Sequence, residues 1–345
     1  MRSISWLRPI ALLAVSLVCS HHAEGADDAL LWDRRSVLTF NEENDLFVNT
    51  DRHYTQGINL AYLHEDGHLP LGMASINEWI PSWGYQRQSA RSGYSIGQSM
   101  FTPANLSSTQ PVPGDRPYAG WLHGSWILQR SGQTASRKTP VQESFELEIG
   151  SMGSASLARQ AQRWVHDVRG FELPEGWRNQ LRDEPGFRLK YERAYRWTIF
   201  SPDQALQCEL IPWARGVAGT IEDSLRVGGQ LRIGVGLQND FGIRTIDSLS
   251  TTRGGRSRSQ PRRWSIHGLV GAEGKAVARN AFLDGNLWRD SLSVDKHALV
   301  GDFHAGVVAG LKWPEAGYVH VFRTPEFHQQ HQSHQFGSIN VKLLF

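Results

Sequence analysis

Leu225-Arg226-Val227-Gly228-Gly229-Gln230-Leu231-Arg232-Ile233-Gly234-Val235-Gly236-Leu237 decides the fold. Leu225, Val227, Leu231, Ile233, Val235 and Leu237 alternate with Arg226, Gln230, Arg232 and Gln238. A period of two sends alternate side chains to opposite faces of a strand. The pattern recurs outward along the chain. Phe145, Leu147 and Ile149 alternate with Glu146, Glu148 and Gly150. Phe303, Ala305, Val307, Ala309, Leu311 and Trp313 alternate with His304, Gly306, Gly310 and Lys312. Ile339, Val341, Leu343 and Phe345 oppose Ser338, Asn340 and Lys342 in the last segment. A soluble sandwich would bury such an apolar face. A membrane barrel turns it to lipid and keeps charge in its lumen.

The rest of the composition agrees with a barrel. A net charge of +2 excludes a strongly basic nucleic-acid binder. A mean hydropathy of -0.41 excludes a helical membrane protein but not a barrel. Arg2 and Arg8 precede an apolar run over 10–18 and then Ala23-Glu24-Gly25-Ala26. This is the pattern of an export leader, too short to span a bilayer. Residues 1–25 are therefore expected to be cleaved, leaving 26–345 as a single barrel domain. Cys19 lies in the leader, so the mature chain keeps only Cys208 and can form no internal disulfide. The 13 Trp suit an aromatic girdle, and Phe345 ends an alternating strand.

The pattern predicts an all-β, antiparallel transmembrane barrel of about twelve strands. They fall near 36–45, 54–65, 92–102, 117–130, 142–152, 186–199, 205–217, 223–238, 262–275, 295–313, 316–324 and 336–345. With both termini periplasmic, the connections after strands one, three and five face the cell exterior. The one after strand five is expected to hold short helices, over 154–169 and 175–182. Ala158, Ala161, Trp164, Val165 and Val168 form its apolar stripe, and His166 lies off it. The segment 251–263 carries five Arg with Gly and Ser. It would be periplasmic, and long for that side.

Polar groups crowd the junction of strands one and two. Thr39, Asn41, Glu43 and Asp45 share one parity, so Asp45 should point inward. Thr55 shares a parity with Gly57 and Asn59 and should do the same. Asn44 has the opposite parity unless a bulge intervenes. By spacing alone these residues fit a polar loop of Asx turns as well as a site. His166 fits an exposed surface histidine or a general base. Gly114-Asp115-Arg116-Pro117 fits a turn into strand four, or places Asp115 and Arg116 at the site. His328, His331 and His334 have no Cys or carboxylate at zinc-ligand spacing. Gly234-Val235-Gly236 lacks the third glycine of a dinucleotide loop, and no G-x-S-x-G elbow occurs.

Several motifs together resemble the outer-membrane lipid A 3'-O-deacylase family (LpxR-type). They are Glu43-Asn44-Asp45-x-Phe47, Thr50-Asp51-x-x-Tyr54-Thr55-x-Gly57 and Gly114-Asp115-Arg116-Pro117-Tyr118-Ala119-Gly120. Glu146-Leu147-x-Ile149-Gly150, Gln162-x-x-x-His166, Gly176-Trp177-x-x-Gln180-Leu181-x-x-Glu184-Pro185 and Leu283-Asp284-Gly285-Asn286 continue the match. The resemblance implies a twelve-stranded outer-membrane barrel that hydrolyses the 3'-linked acyloxyacyl ester of lipid A with calcium. It implies site roles for Asn44, Asp45, Thr55 and His166. Asp45, with Thr55, would hold the Ca2+ ion. Asp115 and Arg116 are candidates for substrate binding. The expected partners are lipopolysaccharide and outer-membrane lipids, with no nucleic acid, and the expected state is a monomer. The family's lysine between strands three and four has no counterpart in Thr102-Pro103-Ala104-Asn105-Leu106-Ser107-Ser108-Thr109-Gln110. Two other functions fit the barrel. One is a phospholipase-type serine esterase using Ser99 or Ser151, and the other is an inactive, porin-like barrel.

Overall fold

The alternation seen at Leu225–Leu237 runs around a closed ring. A computed structural model describes residues 35–48, 52–70, 72–201, 206–243, 245–246, 264–311 and 314–345. The leader expected over 1–25 and the Arg-rich segment 251–263 lie outside them. The strands are β1 (Val37–Asn44), β2 (His53–Leu63), β3 (Tyr85–Thr102), β4 (Ala119–Thr134), β5 (Pro140–Met152) and β6 (Glu184–Tyr195). They continue as β7 (Leu206–Gly219), β8 (Glu222–Val235), β9 (Trp264–Asn280), β10 (Leu299–Leu311), β11 (Glu315–Arg323) and β12 (His334–Leu344). A short stretch, Trp197–Phe200, continues β6 beyond Arg196 and pairs with the same β7. Each strand is antiparallel to its neighbours in sequence, β12 pairs with β1, and β6 meets β7 to close the ring. Closure leaves no unpaired edge, which a strand in lipid cannot tolerate.

Burial is inverted relative to a soluble protein. Leu225 is 69% exposed while Gln230 is 0% exposed. Arg226 and Arg232 are buried beside it, and Val227 and Ile233 are exposed. The lumen is filled by opposed charges. Arg188 pairs with Glu148 and Glu222, and Arg215 with Glu192. Lys275 and Arg323 share Asp302, and Lys342 joins Glu315 to Asp240. Each charge gives up water, and an opposite charge at hydrogen-bonding distance offsets that cost.

Residues 236–243 and 245–246, which follow β8, turn back into the lumen. Asp240 is buried against Arg232 and accepts a hydrogen bond from Lys342 Nζ at 3.0 Å. Ile243 lies against Gly317, where an added Cβ would meet its Cδ1 at 2.9 Å. The Ile246 N–H donates to Glu43 Oε1 at 2.6 Å. The connection between β8 and β9 is thus partly an internal plug.

Two local expectations change. The helix expected over 154–169 is a 3-10 turn, Gly153–Ser156, followed by an α-helix, Ala158–Arg169. Leu157 separates them at φ 59. Gly170, at φ 69, ends the helix in the left-handed conformation that glycine adopts without strain. The second expected helix is only a 3-10 turn, Gly176–Asn179. A further short helix, Met73–Trp79, precedes an extended β3. In chain order the α-helices are α1 (Met73–Trp79), α2 (Ala158–Arg169) and α3 (Ala281–Asp284).

Candidate active site

The site begins with one rung of the sheet. Asn44 on β1 pairs with Gln56 on β2, Gln56 with Met100 on β3, and Met100 with Gly120 on β4. Directly paired residues of an antiparallel sheet share a face. The adjacent rung contains Glu43, Ser99 and Trp121, which line a cavity in the lumen. Asn44, Gln56, Met100 and Gly120 therefore face out of the barrel. Further down the same face Phe40, Leu60, Ile96 and Trp126 are exposed. At the rim, Asn44 is 5%, Gln56 6% and Met100 2% exposed. Something covers the outer wall there.

Two pieces of chain do so. Asp45 opens a 3-10 turn, Asp45–Val48, and Phe47 folds over β12. A Cβ on Gly337, the β12 partner of Asn44, would meet Phe47 Cβ at 2.9 Å. On the other side the connection between β5 and β6 lies over β3 and β4. A Cβ on Gly120 would meet Ser156 Oγ at 2.1 Å and Ala158 Cβ at 2.5 Å. Gln98 Nε2 donates to the Ser156 carbonyl at 2.6 Å. Met100, Tyr118, Ala158 and Trp177 form a small apolar cluster beneath this cover. Asn44 and Gln56 are buried on the stretch of rung between the Phe47 turn and the segment over Gly120.

The buried residues of α2 are Ala158, Gln162 and His166, spaced i, i+4, i+8 along one face. This overturns the face expected from the apolar stripe, because Trp164 and Val168 point outward. In lipid an apolar stripe has no reason to hide. The Trp177 Nε1–H donates to Gln162 Oε1 at 2.7 Å and anchors the helix. His166 Nδ1 lies 2.6 Å from the Glu172 carbonyl. A carbonyl only accepts, so Nδ1 carries the proton in the neutral ring and Nε2 is the basic nitrogen. The start of α2 lies above Gly120, and the helix packs over β3 and β4.

Thr55 departs from its expected parity. The β2–β3 register shifts between Tyr54 and Gln56, so Thr55 is the extra residue of a bulge. Tyr54 stays in the lumen, donating to Glu43 Oε2 at 2.8 Å. The Thr55 hydroxyl instead meets that of Thr102 at 2.7 Å. Thr102 shares the outer parity of Met100, so Thr55 joins Asn44's face rather than the lumen. Asp45 is 0% exposed, and its Oδ2 accepts the Arg52 N–H at 2.6 Å. Because Asp45 opens a turn, strand parity no longer governs its direction. Asn44 Oδ1 accepts the Leu46 N–H at 2.8 Å, which aims the amide nitrogen away from the turn.

Arg116 and Asp115 sit elsewhere. Arg116 lies over the lumen-facing Phe101 ring, 4.5 Å from its centroid, and donates to Glu326 at 3.2 Å. Burial alone would raise the Glu326 carboxyl, but the charges of Arg323 and Arg116 hold it below its ordinary range. Asp115 accepts the N–H groups of Ala104 and Arg116, each at 2.7 Å. Both residues brace the loop after β3 at the barrel mouth, and Gly114 turns there at φ 73. Ser99 lines the lumen, across the wall from Thr102. The Ser151 hydroxyl donates to the Met152 carbonyl at 3.3 Å. His334 stands with His53 at 5.7 Å between ring centroids, and His328 with His297 at 4.2 Å. No group of three or more His, Cys, Asp or Glu suited to a metal occurs among the described residues. Gln56 and Thr102 were not legible as site residues, although Gln56 shares the parity that singled out Asn44.

A sequence profile described as outer membrane protein LpxR matches residues 10–345. No curated protein sequence matches the chain. Among solved structures, LpxR from Salmonella typhimurium superposes with a TM-score of 0.68 at 18% identity, over 90% of this chain and 100% of that one. The beta domain of the Bordetella autotransporter BrkA gives 0.40 at 11% identity, over 91% and 100%. The translocator domain of NalP from Neisseria meningitidis gives 0.39 at 8%, over 90% and 88%. With its twelve-stranded ring and a profile match over nearly its whole length, the chain belongs to the LpxR family of outer membrane proteins.

Proposed function

We propose that this barrel is a hydrolase that removes the 3'-linked acyloxyacyl group of lipid A in the outer leaflet. The observation that carries this reading is the set of buried polar side chains on the outward face of the rim. Buried Asn44 and Gln56 are out of place on that face unless a lipid headgroup is handled there. Family membership supports the same substrate.

In this reading the ester reaches these side chains from the lipid side. His166 Nε2 takes a proton from water as the water oxygen attacks the ester carbonyl carbon. The Glu172 carbonyl holds the ring in the needed tautomer. The Asn44 amide nitrogen donates to the developing oxyanion. The imidazolium then returns its proton to the departing sugar oxygen, giving a free acid and 3'-O-deacylated lipid A. The oxygens of Asp45, Thr55 and Thr102 suit a hard cation such as calcium in kind, and one carboxylate predicts modest affinity. Asp45 and Thr55 would hold that ion, which when bound would add charge stabilisation at the oxyanion. One chain supplies every group, so the reading needs no second copy.

The test is mass spectrometry of lipid A from a Gram-negative host expressing the protein, with and without chelator and with His166→Ala. Loss of the 3' acyloxyacyl mass, abolished by the substitution, is expected. An unchanged profile with the wild type removes the deacylase reading, and loss that persists in the variant removes His166 as base. Insensitivity to chelator removes calcium.

A further inference from the structure

Helix α2 presents three sectors, and only one touches the barrel. At 100° per residue, Ala158, Gln162 and His166 span the buried sector. Trp164, 69% exposed, and Val168, 68% exposed, lie on one flank. Leu157, also exposed, extends that flank at the N-terminal end, and beyond the helix the Phe171 ring meets the His166 ring edge-on at 5.8 Å. Arg159 and Arg163 lie exposed on the opposite flank. Among the described residues neither arginine pairs with a carboxylate. His166 is at the edge of the buried sector nearest to them, and Arg163 is one turn from it at i, i+3.

A helix so divided lies in the interface, its apolar flank toward acyl chains and its basic flank toward headgroups. Arginines four residues apart on one face form a fork for phosphate oxygens. Resting on the deacylase reading, we infer that Arg159 and Arg163 clamp the phosphate on the sugar that carries the scissile ester. The pair is a specificity device: it ties the choice of a phosphorylated sugar to α2.

Two measurements test this on purified full-length barrel in detergent. The first compares kcat/KM on lipid A with and without that phosphate, for wild type and for Arg159→Gln with Arg163→Gln. The double variant should lose about tenfold to hundredfold on the phosphorylated substrate and nothing on the dephosphorylated one. The second measures Kd for the same two lipids in a His166→Ala background, where no turnover is needed. The phosphate preference should vanish with the arginines. Equal losses on both lipids, or a preference unchanged in the variant, would overturn the clamp. If wild type turns over neither lipid while the arginine-dependent binding preference stands, the deacylase reading fails and the clamp survives.

Discussion

The barrel wall buries polar groups on both of its faces, and the two sets differ in kind. In the lumen they are full charges in opposed pairs, such as Arg188 with Glu148 and Lys342 with Asp240. Each is committed to a partner, and the plug after β8 adds Asp240 to the network. On the outer rim they are amides and hydroxyls, namely Asn44, Gln56, Thr55 and Thr102, with one carboxylate at Asp45. Groups locked in ion pairs stabilise a shape. Neutral groups with lone pairs and N–H bonds left over can meet a substrate. On the proposed reading, the lumen is the scaffold and the rim the place for chemistry.

Four substitutions would break or sharpen that contrast. His166→Ala should lower the deacylation rate by about 10²–10⁴-fold, the usual share of a general base, with the barrel still folded by its heat-dependent gel shift. A rate within tenfold of wild type would contradict the assignment. Arg232→Ala removes the cation shared by Glu209 and Asp240, leaving Glu209 with the weaker partner Arg196 and Asp240 with Lys342. It should cost about 3–5 kcal/mol in urea unfolding from detergent. Activity per folded molecule should not change; a selective loss of turnover would merge the two regions. Asn44→Ala should slow the reaction about 10²–10³-fold, as for a lost oxyanion donor, while Asn41→Ala, three residues earlier but facing the lumen, should not. Equal effects would mean that the wall does not separate the faces. Gly120→Ala is the mildest. Its Cβ collides with Ser156 and Ala158, an overpacking of about 1–3 kcal/mol that should loosen the cover and not the ring. Faster proteolytic nicking of 153–183, with an unchanged unfolding midpoint, is the expected signature.

Part of the site was legible before the fold was known. Asn44 had the wrong parity for the lumen, and the structure takes that parity literally: Asn44 faces out. Thr55 misled, because the one-residue bulge that turns it to the same face leaves no mark in the pattern. His166 misled in another way. An apolar stripe normally marks a buried face, and here Trp164 and Val168 face lipid while Gln162 and His166 face the protein. The plug had only an indirect signal, a connection too long for the periplasmic side.

What the chain alone determined is the barrel: its strands, their faces and the polarity of its lumen. Each follows from a period of two, which is local and survives any error in strand ends. What only the tertiary structure decided is which polar residues share the outer face of the rim. That depends on a cover brought from a connection more than a hundred residues from Asn44, and on a bulge fixed by pairing between β2 and β3. Neither contact has a local period, because both come from packing between segments distant along the chain.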